Sequence, residues 1–119
     1  MPDNERDQLI IRRIRQYCVE IQETHAMFSH SRSAFAQSHV YRNVVSMGLM
    51  QIGELSGRLS DDFRNTHSDI PWKQIRGMRN LFAHQYLGLD EDMLWNTGLE
   101  DVRALQAFCD ALLSGDSST

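Results

Sequence analysis

The chain has 119 residues, a length that suits one domain with a single modest core. Hydrophobic residues make up 41% and charged residues 24%, which is typical of a globular protein, and the net charge of −4 excludes a uniformly basic nucleic-acid binder. No run approaches the roughly 18 apolar residues of a membrane span, and the polar segment 2–6 differs from a secretion signal. Cys18 and Cys109 lie in apolar-periodic segments, so we expect buried free thiols, no membrane partner and a cytoplasmic location.

Hydrophobic periodicity predicts the first two helices. Apolar residues recur every three or four positions over 5–28 and again over 40–59. The residues 29–33 have turn composition, and the polar stretch 61–69 is predicted to be a loop. The second helix contains repeated glycines, which lower helix propensity and indicate close contact with another helix. These glycines are Gly48, Gly53 and Gly57.

Two further helices follow in the second half of the chain. Pro71 suits the first turn of a third helix, which we expect to run to about Gln85, with Gly88 as a natural stop. The acids at 90–92 are typical of the start of a fourth helix. That helix has an apolar face up to Leu112, with an expected kink near Thr97-Gly98.

These segments predict an all-α fold: a four- to five-helix up-and-down bundle with short connections. A single domain is expected over 1–114, followed by a frayed tail over 115–119. The sequence has neither a cysteine pair with zinc-ligand spacing nor a glycine-rich phosphate loop, so we predict no metal and no cofactor.

Charge is distributed unevenly along the chain. Residues 90–119 carry seven acids and one base, whereas 70–89 carry three bases and no acid. The bases are Lys73, Arg76 and Arg79. A basic surface is therefore compatible with the acidic total, although such residues are also common on an ordinary solvated helix face.

The third helix also carries a group of reactive side chains. Arg79, His84 and Tyr86 place a fixed cation, an imidazole and a phenol within eight residues. A guanidinium can neutralise charge on a phosphate, and an imidazole exchanges protons near neutral pH. The Arg-x4-His-x-Tyr run therefore suits chemistry on a phosphate ester.

The helical period separates these side chains. At about 100° per residue, the core stripe of the third helix contains Trp72, Ile75, Met78 and Phe82. Arg79 lies at the edge of that stripe and needs an acidic partner, for which Glu54 is the candidate. His84 lies opposite the core, with Gly77 and Leu81 beside it. This face is either a dimer face or a solvated face at a helix C-terminus, where a cationic imidazole is mildly favoured.

The run IPWKQIRGMRN over 70–80, followed by His84-x-Tyr86, closely resembles the HepT-like (DUF86) branch of the HEPN superfamily. Further elements similar to that family lie at 52–54, 58–60 and 94–95. The resemblance covers roughly 6–113. It implies a HEPN-like helical domain that forms a homodimer through the motif helix.

The resemblance also implies a metal-independent ribonuclease site assembled from both protomers. Arg79 and His84 would be the catalytic pair, with Asn80 supporting the site and Glu54 orienting Arg79. The chain would be the toxin of a type VII-like toxin–antitoxin pair, with RNA rather than DNA as its substrate. The antitoxin would be an MNT-type nucleotidyltransferase, which silences the toxin by transferring AMP from ATP onto Tyr86.

The angle between the two catalytic candidates and the residue next to Tyr86 both bear on how this site would work. Arg79 and His84 are about 140° apart around one helix, so we expect two symmetry-related helices, rather than one, to bring them to a single phosphate. Gln85 stands where many relatives carry a glycine, which changes access to Tyr86. The alternative hypothesis is a non-catalytic helical partner, or nucleotide-binding subunit, of the nucleotidyltransferase.

Overall fold

The computed structural model describes residues 2–88 and 90–117, apart from the side chains of 84–86 and 116–117. All regular elements of this part of the chain are helical, which confirms the predicted all-α class. The α-helices are α1 (Asp3–Met27), α2 (Arg32–Gln37), α3 (His39–Ser56), α4 (Asp61–Thr66), α5 (Trp72–Gly77), α6 (Leu81–Tyr86), α7 (Glu91–Asn96) and α8 (Val102–Ser117). A 3₁₀ turn (Met78–Asn80) joins α5 to α6, and a π-helical segment (Thr97–Asp101) joins α7 to α8.

The four predicted long helices correspond to α1, α3, the α5–α6 segment and the α7–α8 segment. Two short helices were missed, because α2 begins within the predicted turn and α4 lies within the predicted loop. Each follows a serine whose hydroxyl accepts a backbone N–H bond three residues on: Ser31 from Ala34 and Ser60 from Phe63. An N-cap serine is a signal that the sequence offered, since it satisfies an otherwise unpaired donor of the first turn.

One hydrophobic core lies where α1 packs against α3 and α8, and the α5–α6 segment packs against α3 and contributes buried residues to the same core. Both cysteines are free and buried in this core, as predicted. Burial raises the pKa of both thiols, that of Cys109 to about 12, so neither is poised as a nucleophile. None of the described helices has the length and low polarity that crossing a bilayer requires.

The C-terminal end of the fold differs from the expectation. Helix α8 continues through Ser117, so the first residues of the predicted frayed tail, 115–117, are helical. Leu112 and Leu113 pack partly against the core and hold the preceding turn. Residues 118–119 lie outside the described part of the chain.

Candidate active site

The segment that carries the reactive motif is a composite helix of α5, the 3₁₀ turn and α6. Its buried side chains recur every third residue: Trp72, Ile75, Met78 and Leu81. Residues three apart are stacked in a 3₁₀ turn, whereas they drift by about 60° in an α-helix. The 3₁₀ turn at Met78–Asn80 therefore keeps one continuous apolar stripe directed at the core.

This turn corrects the predicted orientation of Leu81. A steady α-helical period places Leu81 opposite the core, but its side chain is buried, at 7% exposure. Three residues of 3₁₀ geometry add roughly 60° of rotation, which carries Leu81 inward. Leu81 therefore cannot contribute to an exposed dimer face. Gly77 keeps an outward position, because a Cβ built there meets no atom within 4 Å.

Gly53 on α3 fixes the backbone of the motif segment. A Cβ at Gly53 would lie 2.6 Å from the amide nitrogen of Arg79 and 3.0 Å from the carbonyl oxygen of Arg76. Such distances are shorter than van der Waals contact, so only glycine permits this approach of the two backbones. The predicted close helix contact at the α3 glycines is confirmed here.

Arg79 lies at this contact with its guanidinium at the surface. The predicted partner is present: a nitrogen of Arg79 lies 3.9 Å from a carboxylate oxygen of Glu54. Both side chains are about half exposed, 53% for Arg79 and 49% for Glu54. Arg79 is therefore held at the edge of the bundle rather than drawn into it, and an ion pair this long and this exposed contributes little to stability. The guanidinium remains accessible to an anionic ligand.

The other motif residues follow along the same helix. Asn80 is exposed at the end of the 3₁₀ turn, directly beside Arg79. The backbone of His84 and Tyr86 belongs to α6, while their side chains lie outside the described part of the structure. His84 follows Arg79 by five residues, which corresponds to about 7.5 Å along a helix axis. Among the side chains that are described, no group of three or more His, Cys, Asp or Glu could hold a metal ion.

His25 is a buried polar residue of α1 outside the motif segment. Its side chain is fully buried among aromatic rings, with one ring nitrogen 2.5 Å from the Tyr41 hydroxyl and the other 3.0 Å from the carbonyl oxygen of Gly98. The carbonyl can only accept, so Nε2 of His25 donates to it and Nδ1 accepts from Tyr41. Gly98 belongs to the π-helical segment, where a Cβ would lie 2.6 Å from Val45. The network therefore joins α1, α3 and the π-helical segment.

The pH dependence of stability should reveal this network. Burial lowers the pKa of His25 below its usual 6.5, so the unfolded chain binds this proton more readily than the folded chain. Stability from this group is complete above about pH 6.5 and is lost as the pH falls from there toward the lowered pKa. Thermal unfolding followed by circular dichroism should give a lower Tm at pH 5.5 than at pH 7.5. His25→Leu should flatten that difference, and an undiminished pH slope in that variant would assign it to other groups.

Comparison with known proteins finds one matching family and several individual relatives. The family described as "Ribonuclease HepT-like" matches residues 9–112. The chain is 38% identical over 68 residues to "Putative RNase MJ1380" of Methanocaldococcus jannaschii, covering 57% of this chain and 62% of that protein. It is 35% identical over 72 residues to "Putative RNase TTE0752" of Caldanaerobacter subterraneus, covering 60% and 64%.

A third relative carries the family's name. The chain is 40% identical over 55 residues to "Probable ribonuclease HepT" of Thermococcus cleftensis, covering 46% of this chain and 50% of that protein. The matched part is thus between half and two thirds of the length of these curated relatives. No solved structure matches the chain significantly. Because the family match extends over nearly the whole chain, the protein belongs to the HepT-like ribonuclease family.

Proposed function

We propose that the protein is a metal-independent endoribonuclease that acts as the toxin of a type VII-like toxin–antitoxin pair. The observation that carries the proposal is the placement of Arg79. Its backbone is fixed against Gly53, its guanidinium is half exposed beside Glu54, and His84 follows on the same helix. Membership of the HepT-like family supports the choice of RNA as the substrate.

The proposed reaction uses the chemistry of RNA itself. An imidazole takes the proton of a 2′-hydroxyl, whose oxygen attacks the adjacent phosphorus. The bond from phosphorus to the 5′-oxygen breaks, that oxygen is protonated, and a 2′,3′-cyclic phosphate remains. His84 supplies the acid–base group, because an imidazole titrates close to neutral pH. Arg79 stabilises the charge that builds on the phosphate oxygens, and Asn80 lies beside it to support the contact.

The site is proposed to be complete only between two chains. Allowing for the 3₁₀ turn, the Cα atoms of Arg79 and His84 are about 180° apart around the helix axis. Arg79 is directed toward α3, where it meets Glu54. One helix therefore presents the two positions on different sides, and a second copy would supply the missing partner on each side. Gly77 remains a candidate for the face between the two motif helices.

An exposed apolar stripe on α3 supports the second copy. Val40, Val44 and Met47 are 67%, 43% and 46% exposed, although all three are large hydrophobic residues. Their spacing of four and three residues places them on one face of α3, and the same face continues to Glu54. Val44 and Met47 also line an apolar groove of about 320 Å³ between α1 and α3. A contiguous apolar face beside the site is the kind of surface that a second chain covers.

The dimer is tested by placing a charge on this stripe. Val44→Asp should shift the sedimentation coefficient from dimer to monomer and lower RNA cleavage in parallel, because a carboxylate would have to be buried at the interface. Leu9→Asp is the matched control: Leu9 is an exposed apolar residue of α1, at 53% exposure, outside the stripe. A dimeric, fully active Val44→Asp protein would rule out this face.

Regulation is proposed to act through Tyr86. The partner nucleotidyltransferase would transfer AMP from ATP, so that the phenol oxygen bonds to the α-phosphorus and pyrophosphate leaves. The added phosphate would stand two residues from His84 and compete with the RNA phosphate for Arg79. Mass spectrometry after co-expression with such a transferase should show one or more added AMP groups on Tyr86. A silenced toxin with an unmodified Tyr86 would reject this mechanism.

The activity itself is tested in the presence of a chelator. Wild-type protein should cleave cellular RNA in EDTA, and His84→Ala should lose about 10²- to 10⁴-fold of that activity while keeping its fold and its oligomeric state. Cleavage that stops in EDTA would contradict the metal-independent mechanism. Equal effects of wild type and His84→Ala on RNA and on growth would instead favour a non-catalytic partner of the nucleotidyltransferase.

A further inference from the structure

A second guanidinium, that of Arg76, lies one helical turn before Arg79. Both arginines lie along the contact between α3 and the α5–α6 segment, which we call the seam. Arg76 is exposed, and its Nε lies 3.5 Å from the position that a Cβ of Gly57 would occupy. Gly57 is the helical residue directly after α3 and follows Gly53 by four residues, so the two glycines lie one above the other. Arg79 thus lies against Gly53 and Arg76 against Gly57. The 3.5 Å separation is ordinary van der Waals contact, so the Arg76 side chain lies directly alongside the end of α3.

The charge around Arg76 is not balanced by acids. Lys73 is exposed one turn earlier on α5, and Arg58 is exposed directly after Gly57. Within the described part of the chain, none of these three cations has a carboxylate at ion-pair distance, whereas Arg79 has Glu54. Arg76 and Lys73 are thus uncompensated cations along the seam, which produces a positive local potential.

Two of the three acids that follow the motif in sequence, Glu91 and Asp92, are engaged elsewhere. Glu91 and Asp92 bind Arg32 at 2.8 Å and 2.6 Å, and Arg42 lies 3.9 Å from Glu91, so both carboxylates are paired with cations of α2 and α3. The basic seam also has an end: Arg58 itself lines a polar cleft of about 400 Å³, together with the carboxylates of Asp3, Asp7, Asp61 and Asp62. The carboxylates there would repel a phosphate. The basic seam is therefore a short segment that runs from Arg79 through Arg76 to Lys73.

We propose that Arg76, with Lys73 one turn before it, binds the phosphodiester backbone of single-stranded RNA next to the scissile phosphate. This proposal rests on the proposed ribonuclease function and extends it to a substrate-binding site outside the Arg79/His84 pair. The contacts are to phosphates, so they position the strand without selecting its sequence. Exposed arginine and lysine side chains that reach along a strand are the usual means of such binding.

The test measures RNA binding separately from cleavage. A fluorescently labelled oligouridylate is titrated with His84→Ala protein over a range of salt concentrations, and the anisotropy gives Kd. Adding Arg76→Gln should lower the slope of log K against log salt concentration by about 0.7, the value for one phosphate contact on a single strand. At 0.1 M salt this corresponds to about a fivefold weaker Kd. Arg76→Lys should keep most of the slope, since the charge remains.

The control is Arg12→Gln in the same His84→Ala background. Arg12 is an exposed arginine of α1, away from the seam, and its removal should leave the slope unchanged. An unchanged slope in Arg76→Gln, or a loss in Arg76→Lys equal to that in Arg76→Gln, would overturn the proposal. The absence of measurable oligouridylate binding by the His84→Ala protein at low salt would overturn it as well. Cleavage by the wild-type protein reports the proposed function independently, so failure of the one is distinguishable from failure of the other.

Discussion

Arg79→Ala is expected to lower RNA cleavage by about 10²- to 10³-fold, the usual cost of removing a preorganised donor to a developing negative charge. The fold should be unaffected, because Arg79 is 53% exposed and its only described ion pair, with Glu54, is 3.9 Å long. Losing an exposed pair of this kind costs less than about 1 kcal/mol of stability. Single-turnover cleavage and thermal unfolding of the same samples measure the two effects.

Two companion variants make this prediction specific. Arg79→Lys keeps the charge but loses the paired donors, so its rate should lie between those of wild type and Arg79→Ala. Glu54→Gln leaves the guanidinium in place and removes only the carboxylate that holds it, so its loss should be smaller, about tenfold or less. Arg79→Ala protein that cleaves RNA at the wild-type rate, or a Glu54→Gln loss larger than that of Arg79→Ala, would contradict these roles.

Gly53→Ala is expected to destabilise the protein and displace the motif helix. Its Cβ would lie 2.6 Å from the Arg79 nitrogen and 3.0 Å from the Arg76 oxygen, and both of these are backbone atoms that cannot rotate away. Overpacking of this kind costs about 1–3 kcal/mol, occasionally more. The free energy of unfolding, measured by denaturant titration, should fall by that amount. Cleavage should fall with it even at temperatures where the variant is fully folded, because Arg79 moves with its backbone.

Gly77→Ala is the matched control, and in the Val44→Asp background, where the proposed dimer face is uncovered, it should change stability in the opposite direction. Gly77 is helical, with φ −65° and ψ −19°, and a Cβ there meets nothing within 4 Å. Alanine in place of an exposed helical glycine stabilises by about 0.5–1 kcal/mol. Both substitutions add one methyl group next to the turn formed by residues 76–79. Gly53→Ala adds it between that turn and α3, whereas Gly77→Ala adds it on the outer side. Equal effects on the free energy of unfolding would show that the close contact at Gly53 does not hold the motif segment.

The helical architecture could be predicted from the sequence because hydrophobic period dominates in long segments. The long helices α1 and α3 were located by this period alone. The short helices α2 and α4 were not, since six residues contain too few apolar positions to reveal a period. Their N-cap serines were the available signal. The buried His25 could not be identified either, because its two hydrogen-bond partners come from segments 16 and 73 residues away.

In the candidate site, too, some features could be predicted from the sequence and others could not. The pairing of Glu54 with Arg79 could be predicted, because a cation at the edge of a core stripe requires an acid and the glycines of α3 place that acid nearby. The predicted orientation of Leu81 was wrong, because a 3₁₀ turn within a helix has no clear sequence signal and rotates every later residue around the helix axis. The exposure of the apolar stripe on α3 was also missed. Val44 and Met47 are residue types that sequence patterns assign to the core, but both are exposed in a single chain.

The most direct test of the account is complementation between two inactive variants. Arg79→Ala and His84→Ala proteins, co-expressed with different tags so that mixed dimers can be purified, each retain the residue that the other lacks. If the site takes Arg79 from one chain and His84 from the other, each mixed dimer contains one intact site. A random mixture should then recover about a quarter of the wild-type cleavage rate, since about half of its dimers are mixed. Purified mixed dimers that are as inactive as either parent would contradict a site shared between two chains.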